Sequence, residues 1–280
     1  VQLIASGALS MMAADHNSPI SYRLPVDDTL VDVNALIGKR IKLSYLGAIN
    51  CINCGRKTNK SFSQGYCYPC MKKLARCDTC IVSPEKCHYH EGTCREPEWG
   101  EQNCMRLHYV YLANSSGVKV GITRGENIPK RWIDQGAVQA LPIISVATRY
   151  QSGLVETLLK QHVADKTNWR TMLKGGNALL DLQAKRDELL AECREELEAL
   201  QERFGLQAIQ YCEDAQSLEF DYPVLEYPVK VTSHNLDKNP DFEGQLMGIK
   251  GQYLILDSGV INIRKYTGYQ VELYGEEDGE

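Results

Sequence analysis

Residues 38–46, Gly-Lys-Arg-Ile-Lys-Leu-Ser-Tyr-Leu, alternate polar and apolar side chains with the two-residue period of a half-buried strand. Pro19 and Pro25 break up what precedes them, so residues 1–50 read as a β-rich segment. Residues 244–256 and 260–264 predict further short strands, divided by Gly and Asp-Ser-Gly turns. They belong to a C-terminal β domain, residues 221–280, that ends in the acidic run Glu276-Glu-Asp-Gly-Glu280. The start of residues 38–46 shares its pattern with Gly251-Gln-Tyr-Leu-Ile-Leu256. The expectation is that the two chain ends build one small barrel or sandwich, with the rest inserted between them.

Between the ends the periodicity changes. Residues 107–113 and 118–123 predict strands joined by the turn-forming Asn114-Ser-Ser-Gly117. Ile128-Pro129 opens a helix to about residue 136. A strand follows at 141–148, and Ser152 is placed as the cap of a helix to about residue 163. Residues 107–175 thus form a ββαβα unit. In residues 177–204, Leu190, Cys193, Leu197, Leu200 and Phe204 recur at helical spacing. A coiled coil needs about 3–4 heptads, so this acidic helix, within a connector spanning 176–220, is expected to dock on its own domain. Residues 51–106 show little periodicity.

Hydrophobic residues at 43% and charged residues at 24% fit a water-soluble globular chain. No apolar run reaches the roughly 18 residues of a membrane span, and no Lys or Arg precedes Arg23 to make a signal-peptide n-region. The expected compartment is cytoplasmic, with no membrane partner. The net charge of −5 argues against a nucleic-acid partner, but its distribution argues the other way. Residues 51–76 hold six Lys or Arg and no acid, and residues 119–175 hold nine against four. Lys57, Lys60, Lys72, Lys73, Arg124 and Lys130 are therefore candidate contacts to DNA or RNA phosphates. The plainer alternative is a small, exposed segment that is basic because it is solvated.

Nine of the eleven cysteines crowd into residues 51–104, which in a cytosolic protein points to metal rather than disulfides. Cys51-Ile-Asn-Cys54 and Cys67-Tyr-Pro-Cys70 are two knuckles twelve residues apart, the spacing of a four-thiolate structural Zn²⁺ site. Cys77-Asp-Thr-Cys80 is a third knuckle. Its expected partners in a second zinc site are Cys87 and Cys94, with His88, His90 and Cys104 as alternatives. An iron–sulfur cluster uses the same ligands. A redox CxxC normally sits in a βαβ context that is absent here.

One constellation suggests a reaction. Tyr109-Val-Tyr111, then Lys119-Val-Gly-Ile-Thr123, then Arg131-Trp132, then Glu156 follow one another on successive predicted elements. This order resembles the core of the GIY-YIG nucleases over about 65 residues. The second half-motif has Lys119 where the family has tyrosine, as in a divergent, phage-type branch. The resemblance implies phosphodiester hydrolysis. Tyr111 would position or deprotonate the attacking water, Arg131 would contact the phosphate, and Glu156 would hold one Mg²⁺ or Mn²⁺. Lys119 would offer a point charge to a phosphate, and Asn168 aligns loosely with a downstream family asparagine. Without the motif, each side chain has an ordinary fate: packed tyrosine, solvated lysine, stacked arginine, exposed helix glutamate. The whole chain is also similar to an uncharacterised bacterial family that joins a zinc ribbon to such a core.

The fold expected is α+β: a GIY-YIG-like core, an N-terminal zinc-ribbon segment, and a β barrel from the chain ends. The function expected is nucleic-acid binding, with metal-dependent endonuclease chemistry. The alternatives are a non-catalytic DNA/RNA-binding protein and a ribosome- or protein-binding adaptor that keeps the fold.

Overall fold

A computed structural model describes residues 1–276, so all but the first residue of the acidic run 276–280 lies outside the described residues. The described residues form a mixed α/β structure with several antiparallel sheets and, among them, no closed barrel. It divides into two compact units. One comprises residues 1–72, 173–175 and 220 onward; the other comprises 73–172 and 176–219. The cysteine-rich region is therefore split between Lys72 and Lys73.

The first unit is organised by the strand Arg40–Asn50, whose Ile41 and Leu43 are buried as the alternation predicts. It pairs on one side with Tyr269–Gly275 and on the other with Asp241–Lys250. Gln2–Ala8 adds to the outer side of Tyr269–Gly275, and Tyr253–Leu256 and Gly259–Asn262 extend the other edge. The two chain ends thus share one seven-stranded sheet. The expected barrel does not close, because each edge finds another partner. Gln2–Ala8 passes into a separate three-stranded sheet through a Leu9–Val26 bridge. The Gly259–Asn262 edge is covered by the segment at Thr232: Val260 N–H donates to the Thr232 carbonyl at 2.8 Å, and His234 N–H to the Val260 carbonyl at 2.8 Å. Irregular cover of this kind satisfies an edge without another strand.

The second unit carries the ββαβα order. β1 (His108–Asn114) is central, flanked by β2 (Val118–Arg124) and β3 (Gln139–Val146), all antiparallel. α1 (Lys130–Asp134) joins β2 to β3, and α2 (Arg149–Leu159) follows β3. β4 (Ile209–Tyr211) and β5 (Leu218–Glu219) pair with β3. Thr148, not Ser152, caps α2: its hydroxyl accepts from Gln151 N–H while the Gln151 side chain accepts from Thr148 N–H. Ser152 lies inside the helix and donates to the Arg149 carbonyl at 2.6 Å.

The helical stretch expected at 177–204 becomes two helices, α3 (Leu182–Glu192) and α4 (Arg194–Phe204), broken at Cys193. Residues 178–180 stay outside the helix, with the Ala178 and Leu180 carbonyls taken by side chains of the sheet. Asn114 donates to Ala178 at 2.9 Å and Gln139 to Leu180 at 2.9 Å. Asp181 then caps α3. Leu182, Leu189, Cys193 and Leu197 are buried in one core with Val110, Leu141 and Ile143, so the helices dock on their own sheet. No helix among the described residues is long and apolar enough to cross a membrane.

Candidate functional site

Cys51, Cys54, Cys67 and Cys70 converge in the first unit, with all four sulfurs within 4.8 Å of one another. The Cys54 and Cys67 sulfurs are 3.7 Å apart. Tetrahedral Zn–S bonds of about 2.3 Å put sulfurs about 3.8 Å apart. The first knuckle is closed by backbone: Gly55 N–H donates to the Cys51 carbonyl at 2.8 Å and Cys51 N–H to the Arg56 carbonyl at 2.9 Å. Gly55 takes the positive φ of +72° that this turn requires. Burial pushes the Cys51 thiol up, but backbone N–H groups of Cys67, Cys54 and Asn53 outweigh it and bring it down to about 6. The Asn53 amide pulls Cys70 down, yet burial and the three neighbouring sulfurs drive it up to about 12. Four thiolates this close repel, and a divalent cation removes the conflict. These four cysteines can hold zinc. A closed four-sulfur set leaves no position for water, so such a centre holds the chain together and does no chemistry.

Lys57, Lys60 and Lys72, in the same unit, are exposed, with the Lys60 ammonium 5.3 Å from the Phe62 ring centroid. Lys73, in the second unit, is also exposed. Arg124 and Lys130 are already engaged. Arg124 is bonded to Asn103 at 2.5 Å and paired with Glu126 at 3.2 Å, and Lys130 is paired with Asp134 at 2.7 Å.

The second unit brings the motif residues together. Tyr111 on β1 is fully buried, with its ring edge-on to Trp132 at 5.7 Å. Its hydroxyl donates to Gln135 Oε1 at 2.9 Å. Burial pushes the phenol up, opposed by the Arg131 charge and the Gln135 bond, while Glu156 adds to the rise. Lys119 is buried, and burial together with the Arg131 charge brings its amine down to about 8 against the pull of Glu156 and Asp165. Glu156 is half-buried on α2, and burial, then Asp165, push its carboxyl up. Arg131 and Glu156 therefore both act on Tyr111 and on Lys119: the four residues share one electrostatic neighbourhood. Asp165 thus puts a second negative charge near Glu156, which a nearby cation would offset.

Gln135 and Asp165 were not singled out from the sequence. Gln135 is identified by its bond to Tyr111, and Asp165 by its effect on Lys119 and Glu156. Asn168 is exposed and accepts from Thr171 N–H at 3.2 Å, a helix-capping role. A groove of ≈ 430 Å³ at Arg186, Arg194, Tyr211 and Cys212 lies apart from these residues. Its buried arginine is committed to the Cys212 and Glu213 carbonyls.

Among the remaining cysteines, Cys80, Cys87, Cys94 and Cys104 line one small cavity, which Cys77 does not. Asp78, Cys80 and His88 also approach one another within 4.8 Å. Asp78 is committed elsewhere: Oδ1 accepts from Thr79 N–H at 2.7 Å and Oδ2 pairs with Arg95 at 2.8 Å. His88 contacts Thr93 at 2.7 Å and Asp78 at 3.3 Å. His90 is exposed and stacks edge-on against Tyr89.

Fold and site define a mixed α/β protein with a cluster of four cysteines that can hold zinc. Residues 38–271 match the family described as "Protein of unknown function (DUF2797)", and the chain belongs to that family. No curated protein and no solved structure matches it significantly.

Proposed function

We propose that this protein binds nucleic acid and hydrolyses phosphodiester bonds with GIY-YIG-type, metal-dependent chemistry, on a zinc-stapled scaffold. The observation that carries the reading is the shared neighbourhood of Tyr111, Lys119, Arg131 and Glu156 on the ββαβα core. In this reading Glu156, aided by Asp165, holds one Mg²⁺ or Mn²⁺, which would supply Lewis-acid stabilisation of the leaving oxygen. Arg131 neutralises charge building on the phosphate. Tyr111 fixes the geometry through Gln135; its buried, upward-shifted hydroxyl is unsuited to act as the base. Lys119, with its amine near 8 and so charged at neutral pH, offers a point charge to a phosphate oxygen. The exposed Lys57, Lys60, Lys72 and Lys73 contact phosphates, and a second zinc belongs to residues 77–104. The compartment in this reading is the cytosol.

The burial of both Tyr111 and Lys119 favours a second reading, in which the fold is kept for binding alone. Supercoiled plasmid and total RNA are incubated with the full chain and Mg²⁺ or Mn²⁺, beside Glu156→Ala and Arg131→Ala. Cleavage lost in both variants supports hydrolysis. Equal inertness with a strongly salt-dependent gel shift supports the binding module. If no polyanion binds, both readings fail and a protein-binding adaptor is left.

A further inference from the structure

Residues 74–106 form short 3-10 turns and one seven-residue helix, Pro97–Asn103, and bury few apolar side chains. A segment this poor in core needs another source of stability, and bound metal supplies one. Four of its cysteines line one cavity. Cys80 lies in a 3-10 turn capped by Asp78, and Cys87 follows the turn Pro84–Lys86. Cys94 follows Gly92, which has a φ of +71°. Cys104 ends the helix, with its N–H on the Gly100 carbonyl at 2.7 Å. The cavity they line, with Tyr89 and Trp99, measures ≈ 20 Å³, room for about one water-sized atom. Gly100 leaves space for this: a Cβ there would stand 3.4 Å from the Cys94 sulfur and 3.2 Å from the Tyr89 ring.

A further observation points to negative charge at this place. Arg149, the first residue of α2, lies within reach of Cys80 and Cys104. Its Nη2 donates to the Ile81 carbonyl at 2.5 Å. Its Nε is buried and has no hydrogen-bond partner among the described residues. A guanidinium held in this way needs an anion beside it. A divalent ion with four thiolates carries a net negative charge, which Arg149 would face.

We propose that Cys80, Cys87, Cys94 and Cys104 together bind a second zinc-class divalent ion, with Cys77 outside the set, and that this centre braces α2. The proposal rests on the second-zinc reading above and gives it ligands. The brace is direct. Arg149 N–H donates to the Cys104 carbonyl at 2.8 Å. The turn between Cys80 and Cys87 packs on Gly153, where a Cβ would come within 2.4 Å of the Glu85 backbone nitrogen. Glu156 is the next turn of the same helix.

The test is zinc content per chain, measured on the anaerobically purified full-length protein and its variants. About two zinc ions are expected in the wild type, in Cys77→Ser and in His88→Ala, and about one in Cys80→Ser and Cys104→Ser. One zinc in the wild type overturns the second site altogether. Two in the wild type, with one lost in Cys77→Ser or His88→Ala but none in Cys104→Ser, overturns this ligand set and leaves the second zinc standing. Should Cys104→Ser fail to fold, cobalt exchange of Cys77→Ser decides. Sulfur-to-cobalt charge-transfer absorbance equal to wild type supports the assignment, and a drop of about one-eighth overturns it.

Discussion

Gly121 lies directly opposite Tyr111 in the β1–β2 pairing, and a Cβ on Gly121 would come within 2.6 Å of the phenol oxygen. The Tyr111 ring thus lies over Gly121, and the bond from its hydroxyl to Gln135 depends on that glycine. Gly121→Ala is expected to destabilise the protein by about 1–3 kcal/mol, the usual range for overpacking. Chemical denaturation reads the change. A midpoint equal to wild type would show that the ring does not occupy this space.

Lys119 gives a pH-dependent prediction. Burial and Arg131 hold its amine at about 8 in the folded protein, against about 10.4 in the unfolded chain. Between these values the unfolded chain keeps a proton that the folded protein has released, so stability rises with pH across that window. Below about 8 the full cost of the buried charge is present. Lys119→Met is therefore expected to be the more stable protein at pH 7, by up to about 3 kcal/mol. Its advantage should shrink as pH rises through 8 towards 10.4. A difference that stays flat from pH 7 to 10 would rule out the shifted amine.

Glu156 shifts the other way. Burial and Asp165 raise its carboxyl, so it ionises later than an exposed glutamate as pH rises. If the ionised carboxylate holds Mn²⁺, binding strengthens with pH through that raised value. Asp165→Asn removes the like charge and should move the binding profile to lower pH. Electron paramagnetic resonance of Mn²⁺ against pH reads this without any cleavage assay. An unmoved profile would mean that the Asp165 charge does not raise the Glu156 carboxyl.

Much of this arrangement was legible because it rests on local pattern. The alternation around Ile41 and Leu43 marks a strand at any position in the chain, and the CxxC spacing defines its own knuckles. What was not legible depends on distant partners. The barrel fails to close because Thr232 covers an edge. Residues 178–180 are not helical because Asn114 and Gln139 take their carbonyls. Nearness in sequence points to Cys87 and Cys94 as partners of the Cys77–Cys80 knuckle, whereas the cavity those two line with Cys80 is completed by Cys104, at the end of the Pro97–Asn103 helix, and not by Cys77. Thr148 was the exception: its capping box was readable, yet Ser152 was preferred.

The first cysteine centre predicts a different loss. Cys67 is buried and its sulfur is 3.7 Å from that of Cys54. Cys67→Ser should release one zinc and lower stability by several kcal/mol, since metal binding to such a site is folding free energy. Added chelator should change the wild type in the same direction and leave the variant's first centre with nothing to lose. Melting followed by circular dichroism, with zinc content, measures both. A variant that keeps its zinc would show that this cysteine is not a ligand.

Gly153 decides how α2 is held. A Cβ there would meet the Glu85 nitrogen at 2.4 Å and the Pro84 carbonyl carbon at 2.7 Å. Both atoms are backbone, so no rotamer change relieves the contact. Helix propensity alone makes Gly→Ala favourable by about 1 kcal/mol, so propensity and packing predict opposite signs. If the turn Pro84–Lys86 packs on α2, Gly153→Ala is expected to be less stable than wild type by about 1–3 kcal/mol. Because Cys87 follows that turn, zinc should also leave this region more readily on chelation. Glu156 lies one turn further along α2, so any Mn²⁺ affinity should fall as well. A Gly153→Ala protein that melts higher than wild type would show that α2 is free of the cysteine-bearing turn.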